Sequence, residues 1–246
     1  MGDLSIFKKF KFERPPVGVK FLLNKPKGIA KLNKGLAFCE MLGEAQKSPP
    51  FYAMEDNFTC MGPVVLGMKE ANPIFESGQV GPKDGIYKEP RANRRIYNYI
   101  PKLAKGTVRY VAFAPLEKLN FEPDLLIITA DPSQAEILLR AYCYTSGQML
   151  TTRSTPVLIC AWLYIYPYVS GQLNYSVTGL GFGMKARKVL PEGLMLLAIP
   201  FDSLPMLVEN LQDMEWVPPL HRLSEEEKLE QFQKTVNELE QEYQNG

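Results

Sequence analysis

The chain has 246 residues, 46% of them hydrophobic, with 28 Lys plus Arg against 27 Asp plus Glu. This excludes a disordered chain and suffices for one or two domains with a real core. A net charge of +1 supplies no global attraction for nucleic acid or an anionic membrane, so neither is expected as a partner.

The start, MGDLSIFKKFKFERPP, is basic but has no apolar run of signal-peptide length. Residue 6 is Ile6, where acylation at Gly2 wants Ser or Thr. The arm reads as extended and closes at Pro15-Pro16. Val17 to Leu23 alternates with period two and predicts a strand. Gly35 to Gln46 carries Leu36, Cys39 and Leu42 at intervals of three and predicts a helix, stopped by Ser48-Pro49-Pro50. Phe51 to Met68 reads as irregular or strand-rich, and Gly78 to Pro90 as loop by its Gly and Pro content. Arg91, Arg94 and Arg95 read as a solvated helix face. Val108 to Ala114 predicts a second strand. Leu125 to Thr129 is apolar on both faces and suits the middle of a covered sheet.

Asp131-Pro132-Ser133-Gln134 opens a helix. Asp131 can cap it, Pro132 sits where an N–H is not needed, and Gln134 can reach back. The helix is expected to run to about Ser146, with Gly147 as a left-handed terminator. Val157 to Tyr166 and Leu194 to Ile199 predict further strands. The first of these is too short to cross a bilayer as a helix, which takes about 20 residues. Leu204 to Leu211 predicts a short helix. In the tail, Ser224 and Glu227 form a capping box, and Leu229, Phe232, Val236, Leu239 and Tyr243 recur every three or four residues. That narrow stripe is expected to pack on its own domain, with an oligomer through the tail helix as the other reading.

The two halves match in pattern. Strand Val17–Leu23, a helix with Cys39, Cys60 and strand Val108–Ala114 are followed by strand Pro123–Thr129, a helix with Cys143, Cys160 and strand Leu194–Ile199. The expected fold is therefore α+β, built of duplicated strand-helix-strand units about a pseudo-twofold, with a C-terminal amphipathic helix. Residues 1–122 would be the first unit, 123–214 the second, and 215–246 a linker and helix. A ligand cleft is expected between the units.

Catalytic residue types are sparse. His221 is the one histidine and sits beside the tail, which argues against Ser–His or Cys–His nucleophilic chemistry and against histidine-rich metal sites. Four cysteines without a Cys-x-x-Cys pair make neither a disulfide framework nor a zinc ribbon. Reduced thiols and a cytoplasmic setting are expected, with no metal. Cys39, Cys60 and Cys160 are the thiol candidates. Cys60 lies in a loop, FTCMGPVVLG, where Gly62 and Gly67 can hold backbone against a ligand. Gly179, Gly181 and Gly183 with Lys185 and Arg187 resemble a cradle for an anionic ligand: glycine exposes N–H groups and the cations add charge. No residue pattern names a cofactor.

PPVGVKFL, the helix bearing Cys39, FTCMGPVVLG, and Cys160 followed by YPYVSGQLNYSVTGLG together resemble the uncharacterised ArCR family of archaea and bacteria, a domain of unknown function. The resemblance covers most of Pro15 to Leu211. It implies a prokaryotic, anaerobic, cytoplasmic setting and assigns no reaction. It also implies a cysteine after the glycine near Gly179, where this chain has Leu180. The leading expectation is a small-molecule or cofactor-binding protein. The alternatives are a thiol-dependent enzyme using Cys60 or Cys39, and an assembly partner acting through the tail helix.

Overall fold

The computed structural model describes residues 3–245; Met1, Gly2 and Gly246 lie outside them, and with them the Gly2 acylation position. The basic arm is not extended. It forms a 3-10 turn over Ser5–Phe10 that buries Ile6, Phe7 and Phe10. Then follow β1 (Val17–Leu22), β2 (Ala30–Lys31), α1 (Phe38–Ala45), β3 (Phe51–Ala53) and four helices: α2 (Gly62–Val65), α3 (Pro73–Glu76), α4 (Val80–Lys83) and α5 (Pro90–Tyr99). β4 (Tyr110–Pro115), β5 (Leu125–Ala130) and α6 (Pro132–Cys143) precede a buried helix whose centre, Ala161–Ile165, is π-helical and whose end is α7 (Tyr166–Ser170). β6 (Asn174–Val177), α8 (Phe182–Ala186), β7 (Met195–Pro200), α9 (Leu204–Asp213) and α10 (Glu225–Asn245) complete the order.

The strands make one sheet in the order β2-β3-β4-β1-β5-β7-β6, antiparallel throughout except for β2 with β3. Side chains alternate across it, so it feeds two cores. Val17, Val19, Phe113, Leu125 and Ile127 pack on one side with α1 and the π-helix. Leu126, Ile128, Leu197 and Ile199 pack on the other with α6, α9 and the N-terminal turn. This double cover explains why β5 is buried at every position; its one polar residue, Thr129, accepts a hydrogen bond from Gln46 Nε2 at 3.0 Å. α6 starts as its sequence dictates: Gln134 N donates to Asp131 Oδ1 at 2.8 Å and Asp131 N to Gln134 Oε1 at 3.0 Å. Gly147 is left-handed, φ +60°.

Three further expectations are corrected. Val157–Tyr166 is not a strand; residues 159–165 are buried and helical. A continuous apolar run carries no periodicity to separate a buried helix from a buried strand. Tyr166 N donates to Ala161 O, five residues back, and Pro167 has no N–H with which to continue an α register. The tail stripe does not pack on its own domain either: Leu229 is 68% and Phe232 66% exposed. The capping box itself forms, with Ser224 N on Glu227 Oε2 at 2.7 Å. The loop expected at 78–90 also holds α4.

About the β1/β5 junction β4 stands opposite β7 and β3 opposite β6, while the edge strand β2 has no counterpart. The helices do not follow the pairing read from the cysteines. α1, with Cys39, and α6, with Cys143, lie on opposite faces; the helix on the face of α1 is the one that starts beside Cys160. Among the described residues no helix is long and apolar enough to cross a membrane.

Candidate functional site

A cleft of about 1120 Å³ opens between the segment from Phe58 to Tyr97 and the segment from Val157 to Arg187. Cys60, Leu158, Gly183 and Arg187 line it with apolar walls that include Phe58 and Tyr97. Its size is ample for a cofactor-sized molecule.

Cys60 is partly buried, in the bend that leads into α2. Phe38 N and Gly62 N both donate to its Sγ, at 3.2 and 3.3 Å. Two peptide N–H dipoles therefore converge on one sulfur, an arrangement that stabilises charge developing there. The bend depends on Gly62, because a Cβ would fall 2.7 Å from the Phe58 ring and 3.0 Å from Phe38 Cβ. Gly67 takes φ +68°, and a Cβ there would meet Ala104 O at 2.3 Å.

Cys39 and Cys160 lie deeper, in the core beneath Cys60. Burial, with the Cys60 thiol next in effect, pushes the Cys39 thiol up to about 12. Burial likewise holds the Cys160 thiol well above its ordinary range. Tyr164 stacks on Phe38 at 4.2 Å, and its buried hydroxyl has no hydrogen-bond partner. Cys143 stands apart on the other face of the sheet, packed against that core. All four cysteines are free thiols. Among the described residues no three His, Cys, Asp or Glu side chains are placed to hold a metal ion.

Arg187 follows α8 directly. Its Nη1 donates to Gly183 O at 3.0 Å, and its Nε lies 3.7 Å from Glu40 Oε2. Glu40 is already engaged, accepting from Ala37 N at 2.7 Å at the start of α1. Lys185 turns instead to Glu192, at 3.2 Å in solvent. Gly179, Gly181 and Lys185 do not line the cleft, nor do Gly62 and Gly67. Gly181 packs closely, since a Cβ would sit 2.6 Å from Ile159. Of the sequence-derived set, the cleft thus brings together Cys60, Gly183 and Arg187.

Sequence reasoning missed three residues of the cleft. Leu158 is left-handed, φ +57°, a conformation that costs a non-glycine residue about 1–2 kcal/mol. Asn93 is 1% exposed; its Nδ2 donates to Gly78 O at 3.2 Å while its Oδ1 has no partner. Tyr97 stands one helical turn beyond it. A polar Asn at the core-facing position of α5 was the available signal. A second cavity, of about 710 Å³, lies under the N-terminal arm and is lined by no cysteine.

Fold and site together define an α+β protein with one mixed sheet covered on both faces and a thiol-bearing cleft on one of them. The chain belongs to the uncharacterised ArCR family, whose description it matches over residues 5–210. It is similar to an uncharacterized protein of Methanocaldococcus jannaschii, 26% identical over 212 residues that cover 83% of this chain and 90% of that protein. No solved structure matches it.

Proposed function

We propose that this protein binds a small molecule or cofactor carrying an anionic group, in the cleft between the Phe58–Tyr97 and Val157–Arg187 segments. The observation behind this reading is that Cys60 from one segment and Gly183 and Arg187 from the other line the same cleft. Apolar side chains take the body of the ligand, and Arg187 takes its charge, exchanging a loose 3.7 Å contact with Glu40 for a charge-assisted hydrogen bond. Gly62, Gly67, Gly179 and Gly181 support the two walls. The setting that fits is the cytoplasm of an anaerobic prokaryote. The test is anaerobic purification, followed by denaturation and mass spectrometry of whatever is released, with an absorption spectrum of the native protein. A co-purified anionic compound at about one per chain supports the reading. Arg187→Ala should then weaken its binding tenfold or more, one such contact exceeding about 1.4 kcal/mol. An empty wild-type cleft, together with no thermal shift from a panel of carboxylates and phosphates, refutes it.

A second reading, thiol-dependent catalysis, is favoured by the two N–H donors on Cys60 Sγ. Cys60 rather than Cys39 would be the nucleophile, because the Cys39 thiol is pushed up to about 12 by burial. The duplication enters this proposal in altered form. Residues 1–122 and 123–214 would be related through β1-α1-β3-β4 and β5-helix-β6-β7, with Cys39 answering Cys160 and 215–246 as an appendage. A superposition of those two sets tests it.

A further inference from the structure

We propose that α10 is an exchanged arm: in a dimer of this chain, the α10 of each copy lies on the basic face of α5 in the other. Three observations point there. First, α10 presents an unpartnered apolar stripe, with Leu229 68%, Phe232 66% and Leu239 58% exposed. Residues 225–245 hold seven Glu and two Lys, so the stripe is embedded in an acidic helix.

Second, the chain carries a complementary surface. Arg91, Arg94 and Arg95 share one side of α5 by their spacing. All three are exposed and unpaired among the described residues. Exposed apolar side chains border them. Tyr99, at the end of α5, is 64% exposed, and Ile74 on α3 is 63%. α3 lies close by: Gly78, two residues past it, packs against the start of α5, where a Cβ would meet Pro90 O at 2.2 Å. Within one chain neither surface covers the other.

Third, pairing of α10 with α10 is disfavoured by charge. In a heptad register with the stripe at the seam, the flanking positions are Glu226, Lys228, Gln233, Thr235, Glu240 and Glu242. Three are acidic and one basic, so two copies repel. Reciprocal docking of α10 on α5 satisfies both surfaces twice and closes as a two-fold dimer. Trp216 is held to the domain by Arg140 and Phe10, and residues 217–224 beyond it, if extended, supply up to about 26 Å of reach.

The test uses full-length chains in sedimentation velocity. The wild type should dimerise, more weakly as salt is raised. L229E/F232E and R91E/R94E/R95E change only exposed side chains, and circular dichroism should show both folded. Each should dissociate at least tenfold more readily. Mixed together they should form a heterodimer, because one retains the basic face and the other the arm. A monomeric wild type overturns the proposal. So does a triple arginine variant that dimerises as well as the wild type, which is the outcome for an α10–α10 seam. A mixture that associates no more readily than either variant alone overturns it too.

Discussion

Tyr164→Phe should stabilise the protein. The ring is 2% exposed and stacks on Phe38 with 4.2 Å between centroids and 16° between planes, and Phe keeps that contact. What the substitution removes is a buried hydroxyl without a hydrogen-bond partner. Leaving such a group unsatisfied costs about 1–3 kcal/mol relative to its hydrated state in the unfolded chain. The dispersion lost with one oxygen is a few contacts at about 0.1–0.2 kcal/mol each. The net expectation is about 1–2 kcal/mol of added stability, which for a chain of this size raises Tm by about 2–4 °C per kcal/mol. Urea unfolding followed by circular dichroism measures it, with the m-value unchanged as the sign that only stability moved. Destabilisation by about 1 kcal/mol or more would refute the reasoning, because the hydroxyl would then have a partner in solution, a bound molecule or a water between the thiols and the cleft.

Other expectations concern the thiols, one carboxylate and one glycine. Alkylation of the native protein near pH 8, read by mass spectrometry, should modify Cys60 before Cys39 and Cys160, since Cys39 is held near 12 by burial; early labelling of Cys160 would contradict the burial argument. Burial raises the Asp124 carboxyl above its ordinary value, against the hydrogen bond its Oδ2 accepts from Phe21 N at 2.7 Å. The folded state therefore holds that proton more tightly, so this group's contribution to stability falls as pH rises from the ordinary carboxyl value through the raised one. Asp124→Asn should flatten the pH dependence there, and an unchanged profile counts against it. Gly67→Ala should cost clearly more than Gly85→Ala in thermal melts. Both glycines are left-handed, but a Cβ meets Ala104 O at 2.3 Å in the first and nothing within 4 Å in the second; equal losses would mean that strain alone matters.

Where side chains alternate or caps are written out, the sequence was sufficient. β1 and the start of α6 follow from Val17–Leu22 and from Asp131 with Gln134, because both signals are local. The run from Val157 to Tyr166 failed for a physical reason: it is buried on all sides, and total burial erases the period that distinguishes helix from strand. The cleft was half legible. Cys60, Gly183 and Arg187 announced themselves through glycine and charge. Asn93 carries one faint mark, a polar residue on the core-facing side of α5; Leu158 and Tyr97 carry none, since what qualifies them is a backbone angle and a burial that only the tertiary fold creates. The matching of Cys39 with Cys143 missed because linear order does not say which face of a sheet a helix will cover.

The place of β1 in the sheet has a consequence for synthesis. This strand lies between β4 and β5, both made after it, and Val17 pairs with Pro115 on one side and Ile127 on the other. Its partners are roughly a hundred residues downstream. At about 5–20 residues per second, an apolar strand with both edges open waits on the ribosome for several seconds before either neighbour exists. Contacts this distant also slow refolding of the finished chain, because the loop must close before pairing rewards it. The nascent chain is thus most exposed to aggregation between the emergence of β1 and that of β4, and a chaperone that shields extended apolar segments would act in that interval.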